Sequence, residues 1–236
     1  VQKFAAVSIS PRQMALLEQV ADEGLHPGEF QSIEEPAPPQ AVASIEEASE
    51  LSGIHVYTPQ TLGAPTQIEV SGQGSGRLTV DVDNARRILQ AAELDPQLLP
   101  DSLDGAEIDV TIYPAVHQNW ESGVSLLQSP SPLIDYPDDV DPNVMGAALL
   151  QMLGMSSGEA QRLASSIDWS STLLLPVPED LATFREVTVN GVSALELTSL
   201  EAIPIVCYGS RKASSSCLPV PSRLKDCWKS QNRSNK

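Results

Sequence analysis

Apolar residues recur three and four positions apart in "DNARRILQAAEL", and this spacing predicts an amphipathic helix with Asp83 as its cap. "SPRQMALLEQVADEG" has the same rhythm, with Ser10 placed to cap it and Pro11 in its first turn. "SIEEASELSG" carries a capping box, Ser44 with Glu47, and stops at Gly53. "DPNVMGAALLQMLGMSSGEAQRLASSID" predicts two helices: Asp141 caps the first, and Ser156 with Glu159 opens the second. Strands are predicted at "IHVYTP", "TQIEV", "RLTVDV", "AEIDVTIYPAV", "GVSLLQSP", "STLLLPVP", "FREVTVNG" and "VSALELTS". "SGQGSG" reads as a glycine-rich hairpin turn between the second and third of these. Asn190-Gly191, between the last two, is the strongest short hairpin signal in the chain. Strands outnumber helices and follow one another through turns. The expected fold is therefore α+β, a mainly antiparallel sheet with helices packed on one face.

Pattern also divides the chain. "FQSIEEPAPPQAVA", rich in Pro and Glu, reads as an extended linker, so residues 1–43 are expected to form a short helix and a stalk outside the core. Residues 44–200 are the expected globular part, and 201–236 form an atypical tail. Charge sharpens that last boundary. The 236 residues carry a formal charge of −17. Residues 1–200 hold seven Lys and Arg against 29 Asp and Glu, which is −22, whereas residues 201–236 hold seven against two, which is +5. A body this acidic repels phosphate backbones and argues against nucleic-acid binding. With 41% apolar residues the chain can bury a sizeable core, yet no apolar run reaches the roughly 18 residues of a membrane span. The first residue is Val1, and "VQKFAAVSIS" is weakly apolar, so an anchor or signal upstream is expected.

Candidate chemistry is sparse. Cys207, Cys217 and Cys227 all lie in the tail, ten residues apart with no histidine nearby, which matches no zinc pattern. Asp135, Asp138, Asp139 and Asp141 gather in "DYPDDVDPN" but lack the alternating order of a calcium loop, and an acidic turn leading into a helix cap explains them. Asp81 and Asp83 read as a strand end and a cap rather than a catalytic pair. His26, His55 and His117 are isolated in sequence. "GQGSG" lacks the Lys-Ser/Thr ending of a phosphate loop, and no Gly-x-Ser-x-Gly elbow is present. Trp120 and Trp169 could line a ligand pocket or anchor the core. No catalytic, cofactor-binding or metal-ligating residue is assigned, no cofactor is implied, and the body is expected to bind neither zinc nor calcium tightly.

The order "SIEEASELSGIHVYTP", "LDGAEIDVTIYPAV" and "IDWSSTLLLPVPEDLATFREVTVNGVSALEL" resembles uncharacterised bacterial extracytoplasmic domains of membrane-anchored, anti-sigma-factor-like regulatory proteins. The resemblance covers about residues 44–198, and "LPVPEDLATFREVTVNGV" is its most specific part. It implies a juxtamembrane helix and stalk over 1–43, and an extracytoplasmic location tethered through an upstream anchor. It also implies a non-enzymatic sensor or interaction domain whose partner is an envelope protein or a small ligand. The alternative is a lipid-carrier-like or small-molecule-binding module with a cavity between sheet and helices. A deep apolar pocket favours that alternative; an acid pair in a cleft with perturbed pKa values favours an enzyme.

In such domains the Asn-Gly hairpin is followed by a tryptophan-bearing strand, an apolar strand and a short terminal helix. The tail "VCYGSRKASSSCLPVPSRLKDCWKSQNRSNK" departs from this. A reading-frame slip accounts for the departure: read one base out of register, TCN serine codons supply the ends of Phe, Leu, Ile or Val codons. Ser214, Ser215 and Ser216 then become three apolar residues, and a Trp strand, Gly turn, apolar strand and amphipathic helix follow in order. The other reading is a genuine basic tail that binds an acidic partner or pairs by disulfide. Under the slip, residues 203–236 are expected to be irregular, because Pro204, Pro219 and Pro221 and the serine run neither pair well nor bury a face.

Overall fold

Each described α-helix begins on a Ser or Asp side chain that its own first turn can use. The computed structural model describes residues 4–123, 125–189, 192–199, 208–211 and 214–216. In chain order these form Phe4–Ile9 (β1), Pro11–Asp22 (α1), Gly28–Glu34 (β2), Gln40–Ala41 (β3), Ile45–Ser52 (α2), Gln67–Ser71 (β4) and Gly74–Val80 (β5). Val82–Ala91 (α3), Glu107–Ile112 (β6), Ala115–Asn119 (β7), Ser125–Ser129 (β8), Leu133–Asp135 (β9), Pro142–Met152 (α4) and Ser157–Ala164 (α5) follow. The last described strands are Leu173–Pro178 (β10), Ala182–Val189 (β11), Val192–Ser199 (β12), Tyr208–Arg211 (β13) and Ser214–Ser216 (β14).

The caps explain the helix starts. Ser44 accepts from Glu47 N at 3.2 Å while Glu47 accepts from Ala43 N at 2.8 Å, and Gly53 ends α2 in the left-handed region at φ 69°. Asp141 accepts from Asn143 N at 2.9 Å to open α4. Ser156 donates its backbone N–H and its hydroxyl to Glu159, which holds the Glu159 carboxyl below the usual range. One cap moves. Asp81, not Asp83, opens α3: its backbone is still extended, and its carboxylate accepts from Asn84 N at 2.9 Å. Asp83 sits inside the first turn, where its charge faces the positive end of the helix dipole.

The fold is α+β and mostly antiparallel. The chain forms two compact units, each assembled from three separate segments. The first takes Val1–Glu35, Ser75–Thr111 and Pro132–Asp180. Its four-stranded sheet runs β2-β5-β6-β9, and β1 pairs separately with β10 in parallel. One core joins Val80 and Ile108 of the sheet to Val82, Ala85 and Leu89 of α3 and Ala148 of α4. A second joins Val7 and Ile9 of β1 to Leu150 of α4, Ala160 and Ala164 of α5, and Trp169.

This corrects the expected stalk. Residues 1–35 supply β1, α1 and β2 to the first unit, with Ala5, Val7 and Ile9 buried. Their alternation with Ala6 and Ser8 is a strand period, short enough to pass for a weakly apolar leader. The expected single body over 44–200 is likewise two interleaved units.

The second unit takes Pro36–Gly74, Ile112–Ser131 and Leu181–Lys236. Its described strands run β11-β12-β13-β14-β8-β7-β4-β3. α2 packs Ala48 against Val70 and Val116 of this sheet. Val189 of β11 stands opposite Val192 of β12 in an antiparallel pair, and the predicted turn itself, Asn190-Gly191, lies outside the described residues. The proline-rich stretch runs along the edge, where β3 pairs with β4.

"SGQGSG" is not a hairpin turn: β4 pairs with β3 and β7, while β5 lies beside β2 and β6 in the other sheet. Its glycines serve close approach instead. A Cβ on Gly72 would stand 2.9 Å from Ala37 Cβ, and one on Gly74 would stand 3.0 Å from Pro36 Cδ. The tail also differs from expectation. β13 pairs with β12, and β14 pairs with both β13 and β8, so β12 is not a sheet edge. Backbone pairing needs free N–H and C=O groups rather than apolar side chains, and Pro204 and Pro219 flank these strands instead of interrupting them. The expectation for residues 203–207, 212–213 and 217–236 lies outside the described residues.

Candidate ligand-binding cavity

The first unit forms a cavity of about 380 Å³, open to solvent on one side, between its four-stranded sheet and helices α1, α3 and α4. Leu78 and Val80 of β5 form one wall, and Val20, Leu89 and Met145 come from the three helices. The sequence builds these walls by simple periodicity. Residues 78 and 80 share the inner face of a strand, and Ala85, Ile88 and Leu89 share one stripe of α3. Helix α4 is apolar around most of its circumference, so it contributes to the cavity through Met145, Ala148, Leu149 and Met152 while Leu150 enters the second core. Leu149 remains 40% exposed, which marks where the lining meets solvent.

Trp169 closes one side. Its ring crosses α4 at Gly146, where a Cβ would come within 2.1 Å of Trp169 Cζ2. The indole Nε1–H donates to Ala164 O at 3.0 Å, which fixes the ring plane. Beside it, the Tyr136 hydroxyl lies 3.4 Å from Trp169 O, long for an O–H···O bond. Burial pushes the Tyr136 phenol above its ordinary pKa, so it stays neutral at physiological pH. No charged side chain lines the cavity.

The residues singled out by sequence do not converge on this place, Trp169 excepted. Asp135 pairs in register with Asp109, and Asp141 caps α4. Asp138 and Asp139 occupy the turn before that cap. His26 and His55 are exposed, and His117 is half-buried in β7. Trp120 belongs to the second unit, where its Nε1–H donates to Gly63 O at 3.1 Å. Cys207, Cys217 and Cys227 lie outside the described residues. Among the described residues, no three His, Cys, Asp or Glu side chains gather where they could hold a metal ion. None of the described helices is long and apolar enough to cross a membrane.

Sequence reasoning missed Tyr136 and the cavity lining. The available signal was α4: a helix apolar on nearly every side must meet more than one partner surface, or a ligand. No known family model matches the chain, and neither do any curated protein or solved structure.

Proposed function

We propose that this protein is a non-enzymatic binding module that holds a small apolar molecule in the cavity of its first unit. The observation that carries this reading is the size and chemistry of the cavity. About 380 Å³ falls within the usual range for small-molecule sites, and its lining is almost wholly hydrocarbon. Water is a poor occupant, because a buried water needs two to four polar partners.

The resemblance over residues 44–198 supports a tethered sensor on the outer side of a bacterial membrane. Ligand occupancy would then be the signal. An envelope protein docking on the sheet is the second reading, supported by the same resemblance alone. Titrating the full chain with N-phenyl-1-naphthylamine, a neutral fluorescent probe of apolar sites, tests the binding reading. Saturable enhancement at one site per chain is expected, with a rise in melting temperature. No saturable signal and no thermal shift would overturn it.

A further inference from the structure

Resting on the binding reading above, we infer that the cavity selects a neutral, single-headed aliphatic ligand, an alcohol or ketone of about 10–15 carbons, and reads its oxygen with the Tyr136 hydroxyl. Size comes first. An apolar cavity of about 150 Å³ accommodates benzene, or about 25 Å³ per carbon, so about 380 Å³ has room for about 15 carbons.

Neutrality follows from the charges around it. No Lys, Arg or His lines the cavity. Arg86 lies in α3 between the lining residues Ala85 and Ile88, but its guanidinium is committed elsewhere. Nε and Nη2 donate to Leu99 O at 3.1 and 2.6 Å, and Nη1 pairs with Asp101 at 2.6 Å. A carboxylate or phosphate entering the cavity would therefore lose its water without gaining a cation. The formal charge of −17 opposes its approach as well.

One polar group remains for recognition. Among the described lining residues only Tyr136 and Trp169 carry a side-chain O–H or N–H, and the Trp169 N–H is used by Ala164 O. The Tyr136 hydroxyl makes only the long contact to Trp169 O, which leaves it able to donate to a ligand oxygen or accept from a ligand hydroxyl. One such group fits one ligand oxygen; a second would go unpaired.

The experiment is displacement of N-phenyl-1-naphthylamine from the full chain by 1-decanol, sodium decanoate and decane-1,10-diol at pH 8, with thermal melts in parallel. Decanol is expected to displace the probe at a concentration at least about 100-fold lower than decanoate, as the uncompensated burial of a charge demands. It should also compete better than the diol. Tyr136→Phe should weaken decanol about 3- to 10-fold more than it weakens the probe, the worth of one hydrogen bond. Decanoate equal to decanol, or a Tyr136→Phe variant that binds decanol as the parent does, would overturn the selectivity while probe binding still stood. Failure of the probe and all three competitors to bind or shift the melt would overturn the binding reading, and this inference with it.

Discussion

Gln128 satisfies both backbone groups of Tyr57: its Oε1 accepts from Tyr57 N at 2.7 Å, and its Nε2 donates to Tyr57 O at 2.8 Å. Gln118, on the neighbouring strand β7, donates to the same carbonyl at 2.9 Å and accepts from Thr58 Oγ1 at 2.7 Å. Two buried side-chain amides thus stand in for a neighbouring strand. "IHVYTP", predicted as a strand, is none: Tyr57 and Thr58 are met from the sheet face, and the N–H groups of Ile54 and Val56 by Ser52 and Ser49 of α2, rather than from a sheet edge. Ile54 and Val56 still bury on the alternation of a strand.

Replacing Gln128 by Leu removes both of its bonds to Tyr57. A loss of about 1–3 kcal/mol is expected from the two missing bonds. Urea unfolding measures it, and a change below about 0.5 kcal/mol would show that the amide is incidental.

Arg77 grips Asp109 with two bonds, Nε to Oδ1 at 2.7 Å and Nη2 to Oδ2 at 2.8 Å, and reaches Glu107 at 2.6 Å. The hydrogen bond from Arg77, ahead of its charge, holds the Asp109 carboxyl below its ordinary value. A carboxyl depressed by folding contributes stability that is present above its unfolded pKa, near 3.9, and is lost as pH falls through the folded value. In Arg77→Met the Asp109 pKa should rise toward that ordinary value, read by a carboxyl-detected NMR titration. An unmoved titration would mean that the pair is a surface contact without consequence.

Gly146→Ala would normally favour a helix by about 1 kcal/mol. Here the added methyl meets the Trp169 ring, so a net destabilisation of about 1–3 kcal/mol is expected, with a shifted Trp emission. A more stable variant with unchanged fluorescence would show that the ring yields freely.

Deleting residues 1–10 should lower stability by several kcal/mol, since it removes the β1 partner of β10 and uncovers the core around Val7 and Ile9. A chain that melts as before without them would restore the view of this segment as a stalk.

If the tail beyond residue 204 is read out of frame, a chain carrying the corrected sequence should unfold at higher urea. Apolar residues would then replace Ser214, Ser215 and Ser216 in a strand flanked on both sides, by β13 and β8. Equal midpoints for the two chains would favour a genuine basic tail.

What the sequence determined by itself is local. Ser10, Ser44, Asp141 and Ser156 open helices because a cap bonds groups within one turn, and β11 pairs antiparallel with β12 because strands adjacent in sequence meet at little entropic cost. The α+β class follows from those elements together. Tertiary structure decided which strands meet. TQIEV and RLTVDV adjoin in sequence yet enter different sheets, because pairing is set by partners dozens of residues away, and Gly72 and Gly74 admit Ala37 and Pro36 as closely as any hairpin would. It also decided whether Tyr57 belongs to a strand, since Gln128 lies 71 residues along the chain. The cavity is the extreme case. Each of its residues reads as ordinary core, and only the distance left between α1, α3, α4 and the sheet makes their shared apolar faces a site.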